Sequence, residues 1–304
     1  MGRYKFDPAT QIPSLTDKVI LVTGGTAGLG TETIVQLSKH SPQHILFTGR
    51  NQKAADSVIQ TIRSAAHNVE VTFFMCDFTS LESVKTAGHA IASSVSRLDL
   101  VFCNAGVMAV PKATTKDGYE IQFGINHLAH ALLVKLLLPV LVHTTEEPGS
   151  DVRIVFNTSV GFALANTIDF PTLRSEQDMG ALGTFKRYGQ SKLANILYAR
   201  QLAEHYPAIT IVSIHPGIIN TGLVSGLSTF NRQFVNLTTI GRQVPITEGV
   251  KNQLWAATTK KESIVNGMFY EPVGKVGQTT AASKNNKLAA ELWKWTEEEL
   301  KSFV

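Results

Sequence analysis

Residues 185–192 read FKRYGQSK and place a phenol, a hydroxyl and an ammonium within five positions. Tyr188 and Lys192 stand four apart, so on a helix they share a face and lie within reach of each other. A phenol can give a proton to a reacting oxygen or take one from it. With an unperturbed pKa of about 10 it is poorly matched to neutral pH, and a neighbouring ammonium favours the phenolate. The apolar run LANILYARQLAEHY follows directly, so the same stretch is also an ordinary amphipathic helix start. Taken alone, it is open to both readings.

A second group of residues suits a phosphate-bearing ligand. TGGTAGLG, residues 23–30, carries glycines at 24, 25, 28 and 30 between an apolar run and a helical pattern. Such a turn lets backbone N–H groups approach a pyrophosphate, whose charge the helix N-terminus favours. The plainer alternative is a flexible loop rich in glycine, and the placement before a helix argues against it. About twenty residues on, where NAD-selective sites carry an acidic residue for the ribose, the chain has Gly49 and then Arg50. An arginine pairs bidentately with a 2′-phosphate that a carboxylate would repel, which favours NADP(H) over NAD(H). Asp77 can accept from an adenine amino group or can cap the next helix beside Thr79 or Ser80. Asn104-Ala105-Gly106 are small enough to let a cofactor lie close.

These residues need a scaffold, and the apolar patterning supplies one. VILVT (19–23), HILFT (44–48), VEVTFFM (69–75), LDLVF (98–102), VRIVF (152–156) and ITIVSI (209–214) read as strands covered on both faces. Helical patterns over about 29–40, 51–66, 80–95 and 117–142 separate them. Alternation at this spacing predicts an α/β fold, one doubly wound parallel sheet with helices on both faces. Ligands then sit outside the carboxyl ends of the strands, where the residues above fall. No linker or repeat divides the chain, so residues 1–304 are expected to form a single domain, with about 222–247 covering the pocket.

The bulk numbers narrow the class. With 43% hydrophobic and 17% charged residues the chain can bury a full core, and its net charge of +4 is scattered without a basic run. That argues against a nucleic-acid partner. Cys76 and Cys103 close apolar runs and read as buried free thiols. The first residues, MGRYKFDPATQIPSL, lack the apolar core of a signal peptide, and Phe6 stands where a myristoylation signal needs Ser or Thr. ALLVKLLLPVLV is broken by Lys135 and Pro139 and is too short to span a bilayer. No integral membrane segment and a cytoplasmic location are therefore expected. His127 and His130 lack a third ligand at metal spacing and read as ordinary helix residues, so no metal is expected. His215 reads as packing beside Pro216-Gly217, and Trp293 and Trp295 as core or interface on an amphipathic C-terminal helix.

In series these motifs resemble the short-chain dehydrogenase/reductase family. TGGTAGLG is similar to its TGxxxGxG fingerprint, NAG stands at 104–106, YGQSK matches YxxSK, and HPG at 215–217 with Thr221 resembles its nicotinamide-contacting segment. The resemblance covers roughly residues 17–222 with the motifs in family order. FGINHLAHALL (123–133) looks most like the retinol-dehydrogenase-like branch, close to soluble fungal members, some of which serve secondary metabolism.

The resemblance implies a single-domain Rossmann fold and hydride transfer between NADP(H) and a carbonyl or alcohol. It implies that Asn126 holds a water near the lysine, that Ser159 hydrogen-bonds the substrate oxygen, that Tyr188 is the acid/base and that Lys192 is its partner. Cofactor contacts carried over are Gly24, Thr26, Gly28, Leu29, Gly30, Arg50, Asp77, Phe78, Asn104, Ala105, Gly106, Tyr188, Lys192, Pro216, Gly217, Ile219 and Thr221. Family members often form dimers or tetramers, so a homo-oligomer is an expectation without a number. One departure stands out: Tyr188 follows Ser159 by 29 positions, far more than the family commonly has, because of the insertion GFALANTIDFPTLRSEQDMGALGTFKR. Phe162, Leu164, Leu223 and Leu227 flank the expected pocket and suggest a small apolar alcohol or carbonyl substrate. Two other classes remain: a cofactor-sensing binding protein on the same fold, and an enzyme with a non-redox outcome such as isomerisation or dehydration. A sensor has no need of all four catalytic positions, and all four are filled.

Overall fold

The apolar runs form strands with side chains buried on both faces, except the edge strand over 70–75, whose side chains are exposed or half-buried. The structure, a computed structural model, describes residues 6–66, 68–180, 182–219 and 243–304. Strands β1 (Val19–Val22), β2 (His44–Gly49), β3 (Glu70–Met75), β4 (Leu100–Cys103), β5 (Arg153–Asn157) and β6 (Thr210–Ile214) lie within a residue or two of the expected runs. Two short strands follow, β7 (Ile218–Ile219) and β8 (Gln243–Val244), paired with each other, and then β9 (Phe269–Glu271) and β10 (Lys275–Val276). The main sheet has the order β10-β9-β6-β5-β4-β1-β2-β3. Every neighbouring pair in it is parallel except β9–β10. The sheet is thus mostly parallel with one antiparallel edge, and the reversal beside β1 marks a ligand crevice.

Among the described residues, seven helices of eight residues or more cover the sheet: α1 (Gly28–Ser38), α2 (Gln52–Ala65), α3 (Leu81–Ser94), α4 (Ala129–Thr145), α5 (Gly183–His205), α6 (Lys251–Thr258) and α7 (Asn286–Leu300). Alternate strand residues feed two cores. Val19, Leu21, Val101, Ile154 and Phe156 pack under α3, α4, α5 and α7. Ile20, Val22, Phe47, Phe102 and Val212 pack under α1, α2 and α6. Period-2 side-chain alternation on strands buried on both faces produces this division.

The helix expected over about 117–142 is built differently. One α-turn, Ile121–Phe123, leads into a π-segment, Gly124–Leu128, and only then into α4. The continuous stretch Ile121–Thr145 is long and apolar enough to cross a membrane by length and composition, although ALLVKLLLPVLV alone read as too short. Its apolar side chains are buried between α3 and the sheet, including Leu132, Leu133, Leu137 and Leu141. Trp293 stacks on Tyr198 and His205, and Trp295 meets Phe123 edge-on, so both tryptophans tie α7 to the core.

The insertion before Tyr188 is pinned by buried polar groups. It forms one-turn 3-10 segments at Val160–Leu164 and Phe170–Thr172. Arg187 pairs with Glu120 at 3.2 Å with both side chains buried, and donates to the Gln177 carbonyl at 3.0 Å. Gln190 accepts from the Asp169 N–H and donates to Gln177, while Arg174 reaches Glu299 on α7.

Burial of imidazoles has a measurable consequence. Desolvation lowers His127 and His130 to about 3 and His215 to about 4. The unfolded chain takes up these protons first, so stability is present above pH 6.5 and is lost as pH falls toward the folded values. Each histidine contributes up to about 1.4 kcal/mol per pH unit in that window. Glu120, raised by burial, acts in the opposite sense. The melting temperature of the cofactor-free chain should therefore drop steadily between pH 7 and pH 5. A flat profile would show that the imidazoles are not buried as neutral groups.

Candidate active site

At the carboxyl end of β1 the chain must turn tightly into α1. Gly24 takes φ +66°, and a Cβ there would sit 3.0 Å from the Ala105 Cα; a Cβ on Gly30 would fall 2.2 Å from the Gly24 carbonyl oxygen. Only glycine tolerates both the conformation and the approach. The first residue of α1 follows Ala27, which offers no side-chain cap, whereas Asn51, Ser80 and Asn285 cap α2, α3 and α7. The N–H groups that open α1 are thus left for an anion.

A cleft of about 510 Å³ runs along the carboxyl ends of the strands. Gly24, Thr26, Gly28 and Leu29 line one end, with Arg50, Asp77 and Phe78 beside them. Asn104, Ala105 and Gly106 form the floor, and Tyr188, Lys192 and Pro216 the far end. Gly30, Gly217 and Ile219 are not among the residues that line it: Gly217 turns with φ +98°, and Ile219 is buried in β7. Thr221, Leu223 and Leu227 lie outside the described residues, as does the covering stretch 222–247 up to residue 242. A second cleft of about 650 Å³ opens at the amino ends of the strands among Phe6, Leu15, Lys18 and Lys260. It is larger but holds none of the residues singled out above, and in a doubly wound sheet the carboxyl end is where ligands bind.

Arg50 is exposed at the rim and makes no ion pair among the described residues. Asp77 does not cap α3; Ser80 does, accepting from the Ser83 N–H. Instead its carboxylate accepts from the Thr79 N–H at 3.0 Å, the Thr79 hydroxyl at 2.8 Å and Lys116 at 2.9 Å. Burial works to raise Asp77, and these hydrogen bonds outweigh it and hold the carboxyl below its usual range. Cys76 borders the same cleft, and burial pushes its thiol up to about 12. Both cysteines are free and buried.

The four residues of the family pattern meet at the other end. Tyr188 lies on the first turns of α5, and a Cβ added at Gly161 would meet both its ring and the Ser159 hydroxyl, which places the two side by side. Ser159 opens the first 3-10 turn of the insertion and also accepts from the Gly161 N–H at 3.1 Å. The Lys192 ammonium donates to the Asn157 carbonyl at 3.0 Å and stands 5.6 Å from the centre of the Tyr188 ring. Asn126, within the π-segment, accepts from the Val107 N–H at 2.8 Å and donates to the Val107 carbonyl and to Ser191, both at 2.9 Å. Ser191 in turn donates to the Tyr188 carbonyl at 2.8 Å.

Two expectations need correction. An ammonium on the Tyr188 face was to favour the phenolate, yet burial pushes the Tyr188 hydroxyl up to about 12, with the neighbouring Ser159 hydroxyl opposing. Lys192 donates to the Asn157 carbonyl, and burial lowers it to about 8. Phe162 does not flank the pocket: it is 3% exposed and packs edge-on against Phe269 in the core. Leu164, 55% exposed, and Val160, 40% exposed, are the apolar residues left open beside Ser159.

Sequence reasoning missed Asn157, whose carbonyl seats the lysine and whose amide donates to Asn104 and Gln253. The signal was available, since Asn157 ends β5 where ligands are expected. Val107, Met108 and Ile125 also line the cleft without any motif to mark them.

Comparison with known proteins supports one family. A family model described as short chain dehydrogenase matches residues 18–166. The short-chain dehydrogenase/reductase drtF of Aspergillus calidoustus is 36% identical over 307 residues, covering 95% of this chain and 96% of its own. Polyprenol dehydrogenase of Homo sapiens is 31% identical over 287 residues, covering 92% of this chain and 84% of its own. The crystal structure of NADPH bound carbonyl reductase from chicken fatty liver is similar in fold, with TM-score 0.66 and 23% identity over 90% of this chain and 98% of that one. The family transfers hydride with a nicotinamide cofactor.

Proposed function

This chain belongs to the short-chain dehydrogenase/reductase family of oxidoreductases, and on that premise we propose that it is an NADP(H)-dependent carbonyl reductase or alcohol dehydrogenase for an apolar substrate. The observation that carries the reading is that Tyr188 and Lys192, with the ammonium 5.6 Å from the phenol ring centre, line the same cleft as Arg50. The cleft fits a dinucleotide: an uncapped α1, glycines where a Cβ would collide, and an arginine with no ion-pair partner among the described residues. Arg50 would take the 2′-phosphate, the N–H groups opening α1 the pyrophosphate, and Lys192 the nicotinamide-side ribose. When bound, the cofactor supplies or accepts the hydride.

The chain's own residues handle the proton and the orientation. With its hydroxyl pushed up to about 12, Tyr188 stays protonated at neutral pH and can donate to the oxygen of a reduced carbonyl. Ser159 holds that oxygen and stabilises charge on it. Lys192, ammonium below about pH 8, favours the phenolate left after donation. Asn126 ties the floor of the cleft to α5 through Val107 and Ser191.

An apolar substrate is supported by Val160 and Leu164, exposed beside Ser159, and by the likeness to a polyprenol dehydrogenase. The same proposal treats residues 1–304 as one cytoplasmic domain and a candidate homo-oligomer with a place in secondary metabolism. The test is loss of NADPH absorbance, mole for mole with product, across a ketone and aldehyde panel chosen by comparing metabolites with and without the active protein. Binding without turnover for every compound would point to a sensor. Product without change in NADPH would point to isomerisation or dehydration.

A further inference from the structure

His130 was expected to be an ordinary residue of a buried helix, and its hydrogen bonds assign it more. It is 1% exposed, and both ring nitrogens are engaged: Nδ1 with the Asn126 carbonyl at 3.1 Å and Nε2 with the Thr23 hydroxyl at 2.9 Å. A carbonyl only accepts, so Nδ1 carries the proton and Nε2 is left as an acceptor. The Thr23 hydroxyl must then donate to Nε2, because two acceptors facing each other would repel. The other acceptor near that hydroxyl, the Phe102 carbonyl, already takes the Thr23 and Asn104 N–H groups. With its single hydrogen assigned, Thr23 Oγ has two lone pairs free: the Ala105 N–H donates to it at 2.9 Å, and the Asn104 N–H, shared with the Phe102 carbonyl, at 2.8 Å.

The ring therefore joins two parts of the site. On one side Thr23 shapes the Asn104–Ala105 floor of the cleft, and on the other Asn126 holds Val107 and, through Ser191, the Tyr188 backbone. Phe78, in the cleft wall, also rests edge-on against the imidazole at 4.8 Å between ring centres. The π-segment carries Asn126, and His130 follows in the first turn of α4, one helical step further on. We propose that His130, neutral and in the Nδ1–H tautomer, is a positioning residue that couples the cofactor floor to the catalytic helix by orienting the Thr23 hydroxyl. The functional half of this inference rests on the cleft being the NADP(H) site; the tautomer does not.

Two measurements test it. Nitrogen NMR of histidine-labelled protein, with the His130 signals identified by their loss in His130→Gln, should show the proton on Nδ1 and a bare Nε2. A proton on Nε2, or on both nitrogens, overturns the proposal. NADPH dissociation constants provide the second measurement. His130→Leu and Thr23→Val should each weaken binding about tenfold, the double variant should be little worse than either, and His130→Gln, which restores an acceptor, should recover most of the loss. Multiplicative effects, or no recovery with Gln, would mean that the ring only fills space. Should His130→Leu not fold, His130→Gln and the tautomer decide. If the unsubstituted chain binds no NADPH, the cofactor assignment fails while the tautomer measurement still decides the geometry.

Discussion

Tyr188→Phe should lower kcat at least a thousandfold, about the upper range for loss of a general acid, while the NADPH dissociation constant stays within about threefold. The two arms separate because the ring is kept and only the hydroxyl goes. Phe keeps the ring beside Gly161, where an added Cβ would fall 3.2 Å from it, and removes the hydroxyl next to Ser159. Turnover retained by the variant would sink the acid/base role. The pH profile gives an independent check. Lys192, lowered to about 8 by burial, is an ammonium below that value and neutral above it. The kcat/KM for carbonyl reduction, which reports the free enzyme, should therefore fall as pH rises past about 8. A level profile through pH 9 would mean that the lysine charge takes no part.

Arg50→Asp should turn the preference from NADPH to NADH, with the ratio of dissociation constants shifting by about a hundredfold or more. A hydrogen bond to a charged group is worth about 1.5–3 kcal/mol, and a carboxylate adds repulsion toward a 2′-phosphate. Arg50 is exposed and makes no ion pair among the described residues, so its replacement should change folding stability by only about 0.5 kcal/mol. Measuring both constants and the melting temperature tests this directly. An unaltered ratio would show that the phosphate is read by another group.

The residues behind these two predictions were legible in the sequence for different reasons. Tyr188 and Lys192 share a helix, and i,i+4 spacing is a local property that needs no knowledge of the rest of the chain. Arg50 and the glycines of TGGTAGLG were legible because strand ends are where an α/β sheet exposes backbone to ligands. Tyr188's own acidity was not legible. It depends on how deeply the hydroxyl is buried, which is set by packing between segments far apart in the chain. The insertion was readable as an insertion, but its fixing through Arg187–Glu120, Gln190–Gln177 and Arg174–Glu299 joins positions far apart in the chain.

By itself the sequence determined the strand–helix alternation, the end of the sheet that carries the site, and the identity and order of Asn126, Ser159, Tyr188 and Lys192. Each follows from periodicity, from turn chemistry or from a motif, all of which are local in the chain. Only the tertiary structure decided that a π-segment carries Asn126, that Phe162 faces the core, and that β9 and β10 complete the sheet. It alone decided that His130 faces Thr23 across 107 positions of chain. The reason is physical: a buried polar group must find a partner in three dimensions, and which partner it finds is set by packing rather than by neighbours in sequence.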